Sequence, residues 1–217
     1  MANGVKTQAQ LHYIPLGITS KIFKRLFDVT GALGGIILIT PFVPIIYLMI
    51  KLDSRGEFLV RLKRVSEGRI ITIYKFRTMK EGAHKMKSQF AHLNERTDGP
   101  FFKIRNDPRL TRSGKILRKF RLDEFPQLLN VLKGELALVG PRPHEPEEVQ
   151  KYPDRYRHIT EAQAGVTGFS QVNGASSLPF LKELDLDSYY LHHQSLLFDL
   201  KIILRTIKIL FSDPTAV

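Results

Sequence analysis

The 22 residues from Val29 to Ile50 carry no charge, and no other feature of the chain constrains its fold as much. A straight helix of that length would rise about 33 Å, enough to cross the hydrocarbon core of a bilayer. Pro41 interrupts the stretch and Pro44 follows within a turn. Proline removes a backbone donor and clashes with the preceding turn, so a break is expected at Thr40-Pro41. Thr40 or headgroup water can satisfy the groups freed there. Lys21, Lys24 and Arg25 precede the stretch; Lys51, Arg55, Arg61, Lys63 and Arg64 follow it. Basic flanks belong on the cytoplasmic side, and a re-entrant helix that enters, bends and returns satisfies both. A kinked spanning helix and a buried soluble helix are the alternatives. A cleaved leader fits poorly: the preceding polar region is long, and no small-x-small site follows.

Lys and Arg number 33 against 21 Asp and Glu, a net charge of +12. Such a surplus points to nucleic acid, an anionic membrane surface or phosphorylated substrates. No nucleic-acid motif accompanies it. With no cysteine, disulfides, thiolate metal sites and a Cys nucleophile are excluded. Over 195–211, Lys201, Arg205 and Lys208 form one helical stripe opposite Leu196, Leu200, Ile203, Ile207, Leu210 and Phe211. That pattern suits an interfacial amphipathic helix, and equally an ordinary core helix. Asp199 falls on the apolar side and requires a partner.

The fold class expected is α+β, mostly helical. A loose arm covers 1–20, a re-entrant membrane helix 21–51, and the rest of one membrane-seated domain 52–217, which the resemblance given below implies to be cytosolic and catalytic. Phe58–Val65 and Ile70–Phe76, joined by Ser66-Glu67-Gly68-Arg69, read as a β-hairpin. Residues 80–100 read as helix, then loop. Ser113–Leu122 reads as a basic helix, and a second helix starts near Asp123–Phe125 and ends at Lys133-Gly134. Pro141-Arg142-Pro143 is an extended linker.

Adjacent Asp123 and Glu124 follow Lys115, Arg118, Lys119 and Arg121. A helix start offers unpaired N–H groups to a phosphate. Together with carboxylates and guanidinium groups it suits Mg²⁺-dependent phosphoryl chemistry. Read as residues alone, the run fits a solvated charged face better. Asp185-Leu186-Asp187 matches a short metal motif but reads more simply as a helix cap. His192-His193 lacks zinc-site spacing, and no phosphate-loop or dinucleotide fingerprint is present.

The run Arg118-Lys119-Phe120-Arg121-Leu122-Asp123-Glu124-Phe125-Pro126-Gln127-Leu128-Leu129-Asn130-Val131-Leu132-Lys133-Gly134 resembles the signature of the bacterial sugar transferases, the monotopic phosphoglycosyl transferases. Leu138-Val139-Gly140-Pro141-Arg142-Pro143 continues it. Lys24-Arg25-Leu26-Phe27-Asp28, Tyr74–Met79, Asp107–Thr111, Gly165–Gly174 and Asp187–Tyr190 match as well. The resemblance covers roughly residues 21–210. Departures are Thr40 before Pro41 in place of Ser, Arg121 in place of a small polar residue, and Ala164 in place of Pro. Asp98–Ile104 resembles larger members of the family, although the chain otherwise resembles the minimal catalytic form.

The resemblance implies transfer of a sugar-1-phosphate from a UDP-sugar to undecaprenyl phosphate, with UMP released. It implies the cytoplasmic face of the bacterial inner membrane, in contact with anionic lipid, with a hairpin broken at Thr40-Pro41. Asp123 would be the nucleophile and Glu124 the Mg²⁺ ligand beside it. Arg118 and Arg142 would hold phosphates with Lys75 and Arg77 as companions, and Gln171 and Asp187 lie in matching motifs without an assigned role. Nucleic acid is not an expected partner, and a homo-oligomer is left open. A non-enzymatic membrane scaffold is the competing class; a soluble nucleic-acid binder is the third.

Overall fold

The computed structural model describes residues 16–174 and 177–212. Most of the arm expected over 1–20, and the side chain of Phe211, lie outside the described residues. Helix α1, Ile18–Ile39, runs through a 3-10 turn at Thr40–Phe42 into α2, Val43–Asp53. The break falls at Pro41, as its missing donor dictates. The Thr40 hydroxyl donates to the Ile36 carbonyl at 2.7 Å. Lys24, Asp28, Ala32, Ile39, Ile46 and Ile50 make the buried stripe of this helix. Ile22, Phe23, Leu26, Leu33, Ile37, Leu38, Ile45 and Leu48 are exposed. A soluble core helix would bury that surface. The helix is instead long and apolar enough to cross a membrane.

Strands β1, Leu59–Ser66, and β2, Arg69–Phe76, form the antiparallel hairpin, with Leu59 opposite Phe76. Its two turn residues, Glu67 and Gly68, both take positive φ (50° and 70°), as a twist-matched two-residue turn requires. The helix expected after residue 80 is absent. Successive i→i+3 turns run from Lys80 to Asn94 instead, with a 3-10 turn at Ala91–Leu93. Gly82 at φ 75° breaks helical geometry at the outset.

Helix α3, Arg112–Lys119, stops earlier than expected, because Arg121 turns left-handed at φ 52°. A 3-10 segment, Leu122–Gln127, then leads into α4, Leu128–Lys133, which ends at left-handed Gly134. That glycine stop was legible in the sequence. Strand β3, Ala137–Val139, pairs in parallel with β4, Gly165–Thr167. Between them lie the short helices α5, Pro146–Val149, and α6, His158–Glu161. Helices α7, Phe169–Val172, α8, Phe180–His192, and α9, Leu196–Ser212, close the order. The main core gathers Val131, Leu136, Val139, Leu184, Tyr190 and Ile202; a second cluster seats Ile39, Ile46 and Ile50 against Phe76 and Leu117.

A buried charge cluster locks these parts. Lys24 Nζ lies 2.9 Å from Asp28 and 3.1 Å from Asp199, and donates to the Val139 carbonyl at 3.1 Å. Asp28 accepts the Leu138 N–H, and Tyr190 donates to Asp199 at 2.8 Å. Asp199 therefore has the partners its position demands. Arg25 caps the C-terminus of α4 through the Val131 and Leu132 carbonyls, at 2.6 and 2.7 Å. At the far end of the apolar helix, Asp53 accepts the Ser113 N–H and hydroxyl of α3, at 2.7 and 2.8 Å. Removing Lys24 would leave two carboxylates buried without their cation. Lys24→Met should cost about 3–5 kcal/mol of stability, read as a lowered unfolding midpoint in detergent.

Candidate active site

The left-handed Arg121 reverses the chain after α3 and sets Asp123 and Glu124 at the start of the 3-10 segment, above β2. Strand β2 points Lys75 at them, and Lys75 Nζ lies 2.6 Å from Glu124 Oε1. Asp123 is 7% exposed. Arg118, from the last turn of α3, donates its Nε to the Thr78 hydroxyl at 3.1 Å.

The electrostatics separate the two acids. Burial raises the Asp123 pKa, and the Glu124 charge adds to this against the pull of Lys75 and Arg118. Burial also acts on Glu124, but Lys75 in contact, with Arg142 and Arg121, outweighs it and holds Glu124 below its ordinary value. Arg142 enters from the loop after β3. Burial opposes its charge, yet Glu183, Glu124, Glu148 and Asp187 together raise its pKa.

That loop depends on close backbone approach. A Cβ on Gly165 would lie 2.1 Å from the Gly140 nitrogen. The Arg142 N–H is held by Asp187 at 3.1 Å. Asp187 Oδ1, Ser170 Oγ and Gln171 Oε1 are buried without a hydrogen-bond partner among the described residues. Gln171 donates to the Val166 carbonyl at 3.1 Å. Burial raises the Asp187 pKa to about 7, and the charge of Glu183 adds to the rise.

Asp123, Glu124, Lys75, Arg118 and Arg142 are thus brought together, with Asp187 behind the Arg142 backbone. Gln171 stands behind that loop as well. Arg77 goes elsewhere: its guanidinium donates to the Ser54 and Ile50 carbonyls at 2.6 and 3.2 Å, and to that of Arg55, capping the end of α2. Thr40 and Pro41 lie at the helix break. Asp185 sits inside α8 and accepts from the Tyr156 hydroxyl, so it is no helix cap. Among the described residues no three acidic or histidine side chains converge as a metal cluster.

Sequence reasoning placed Arg64 only in the basic flank of the apolar stretch. Strand alternation puts Val60, Leu62 and Arg64 on one face, and Val60 pairs with Lys75. Arg64 lies 3.5 Å from Glu145, and burial together with the like charge of Arg142 lowers its pKa. The register alone would have drawn attention to it.

Residues 19–213 match the sequence profile of the bacterial sugar transferases, and the chain belongs to that family. It is 37% identical over 87% of its length to the galactosyl transferase CpsE of Streptococcus agalactiae, covering 42% of that protein. To the undecaprenyl-phosphate galactose phosphotransferase of Salmonella typhimurium it is 32% identical over 88% of its length, covering 41%. To the exopolysaccharide production protein ExoY of Sinorhizobium fredii it is 33% identical over 86%, covering 84%. The chain thus spans under half the length of the first two and most of the third.

The Asp187 environment makes a pH prediction. The unfolded chain releases this proton near 3.8 and the folded chain near 7, so stability falls as pH rises through that window. Asp187→Asn keeps an acceptor for the Arg142 N–H and removes the titration. Between pH 5 and pH 8, denaturant unfolding should show the variant gaining about 2–3 kcal/mol on the parent.

Proposed function

We propose that the chain transfers a sugar-1-phosphate from a UDP-sugar to undecaprenyl phosphate or a similar polyprenyl phosphate. The carrying observation is a buried Asp123 beside an ionised Glu124, ringed by Lys75, Arg118 and Arg142. Such a ring lowers the repulsion a carboxylate meets when it approaches a phosphate. The names of the relatives, which include undecaprenyl-phosphate phosphotransferases of galactose and glucose, support the same chemistry. A non-enzymatic scaffold would need none of this arrangement.

In the first step, an Asp123 oxygen attacks the sugar-bearing phosphorus. The bond to the UMP oxygen breaks, and the electron pair leaves with UMP. In the second, an oxygen of the lipid phosphate attacks the same phosphorus and frees the Asp123 carboxylate. Covalent catalysis splits one hard exchange into two easier ones. Lys75 holds Glu124 ionised, while Arg118 and Arg142 bind the phosphate oxygens. One or two carboxylates completed by substrate phosphate suit a hard cation, so Glu124 with Asp123 would hold Mg²⁺, which supplies charge neutralisation when bound.

Both ends of the apolar helix support the re-entrant geometry, and its basic flanks, Lys21, Lys24 and Arg25 before it and Lys51 and Arg55 after it, support the cytoplasmic face. Lys24, Arg25 and Asp28 at one end, and Asp53 at the other, bond to the same body of the protein. A spanning helix would separate its ends by about 30 Å of hydrocarbon. Exposed Leu197, Leu200, Leu204 and Ile207 of α9 support an interfacial seat for that helix.

Two outcomes test this reading. Asp123→Asn should abolish UMP release from the responsive UDP-sugar by at least about a thousandfold, while the parent releases UMP only with Mg²⁺ and turns over only with polyprenyl phosphate. Normal turnover by the variant would overturn the nucleophile assignment. Because the chain has no cysteine, Lys21→Cys and Arg55→Cys can each be labelled alone in inverted and right-side-out vesicles. Both should react from the cytoplasmic side; opposite sidedness would establish a spanning helix.

A further inference from the structure

Arg142 lies on the proline-flanked loop between β3 and α5, where the Pro141 and His144 carbonyls accept backbone N–H groups of Gly165 and Val65 at 2.8 and 3.0 Å. Those bonds hold the backbone and leave the side chains undirected; two acids of α8, one turn apart, add contacts to the loop. Asp187 accepts the Arg142 N–H at 3.1 Å. Glu183, 1% exposed, faces His144 two residues further along the loop, with Oε1 3.4 Å from the imidazole Nε2. The Tyr152 hydroxyl lies 2.5 Å from His144 Nδ1. With that hydroxyl donating to Nδ1, the other ring nitrogen carries its proton toward Glu183.

Glu183 is closed from the other side by Arg96, whose Nη1 lies 3.2 Å from Oε2. Arg96 sits over the Phe101 ring at 4.8 Å, and Phe101 stacks on His144 at 4.2 Å. Asp98 accepts the N–H of Phe180 at the start of α8. The segment 94–104 is thereby strapped across the loop and keeps the network dry. A buried ion pair of this kind adds little net stability over apolar packing, because desolvation offsets the attraction. What it adds is a direction: each hydrogen bond admits one orientation of the imidazole, and the imidazole holds the loop. Glu183 is also foremost among the acids that favour the Arg142 charge, with Glu124 next.

We propose that Glu183 is a positioning residue for the transfer reaction, fixing through His144 the loop that carries Arg142, with Arg96 and Phe101 as its closure. The inference rests on the transferase reading. Its test is a double-mutant cycle on UMP release with Glu183→Gln and Arg142→Lys, alone and together. Glu183→Gln should lower kcat about tenfold with KM for polyprenyl phosphate unchanged, since a misdirected cation costs rate rather than acceptor binding. In the Arg142→Lys background the same change should cost less than about twofold. Equal losses in both backgrounds, or no loss at all, would overturn the proposal. If Glu183→Gln does not fold, His144→Gln runs the same cycle, because it cuts the link to the loop and leaves the Arg96–Glu183 pair. A parent chain that releases no UMP removes the transferase reading and this inference with it. An active parent with independent losses removes this inference alone.

Discussion

The rest of the structure depends on Lys24 reaching two buried carboxylates and the Val139 carbonyl at once. A lysine so enclosed must be paired, and the partners come from α1, from α9 and from the end of β3. The apolar helix, the C-terminal helix and the strand that leads into the Arg142 loop are thereby fixed to one another. Had Lys24 been apolar, Asp28 and Asp199 would face each other across a dry interface. The placement of the candidate site relative to the apolar helix therefore follows from one charge cluster rather than from hydrophobic burial, which has no direction.

Charge also organises the site, by another route. The chain carries a cation surplus of +12, but only a few of those cations surround the acids. Lys75 neutralises Glu124 by contact, and the charges of Glu183 and Glu124 both favour ionised Arg142. Arg77, two residues from Lys75 on the chain, is spent entirely on carbonyls at the end of α2. Strand alternation would put both on one face; the difference arises because Arg77 lies just past the strand end, where the carbonyls that end α2 take its guanidinium.

Much of the fold was legible locally. The hairpin followed from its branched residues and the Glu67-Gly68 turn, the break in the apolar helix from Pro41, and the end of α4 from Gly134. The segment after Lys80 was not, because Gly82 at positive φ outweighs the helix-forming residues beyond it. Nor were β3 and β4, three residues each and far apart in sequence, whose pairing depends on glycines that let two backbones touch. Asp123, Glu124, Arg118 and Arg142 stood in recognisable runs. Glu183 and Arg96 did not, since their roles come from contacts between distant segments.

By itself the sequence determined an uncharged helix with a proline break, a basic surplus, two adjacent acids after a basic helix, and membership of a family. These rest on composition and on rules that act within a turn or two of chain. Tertiary structure alone decided which cations reach the acids, what balances Asp199, and what holds the Arg142 loop. Those outcomes require side chains up to well over a hundred residues apart to meet at hydrogen-bond distance, as Lys24 meets Asp199 at 3.1 Å. Burial makes each such meeting obligatory, because a charge taken from water must find its partner inside the protein.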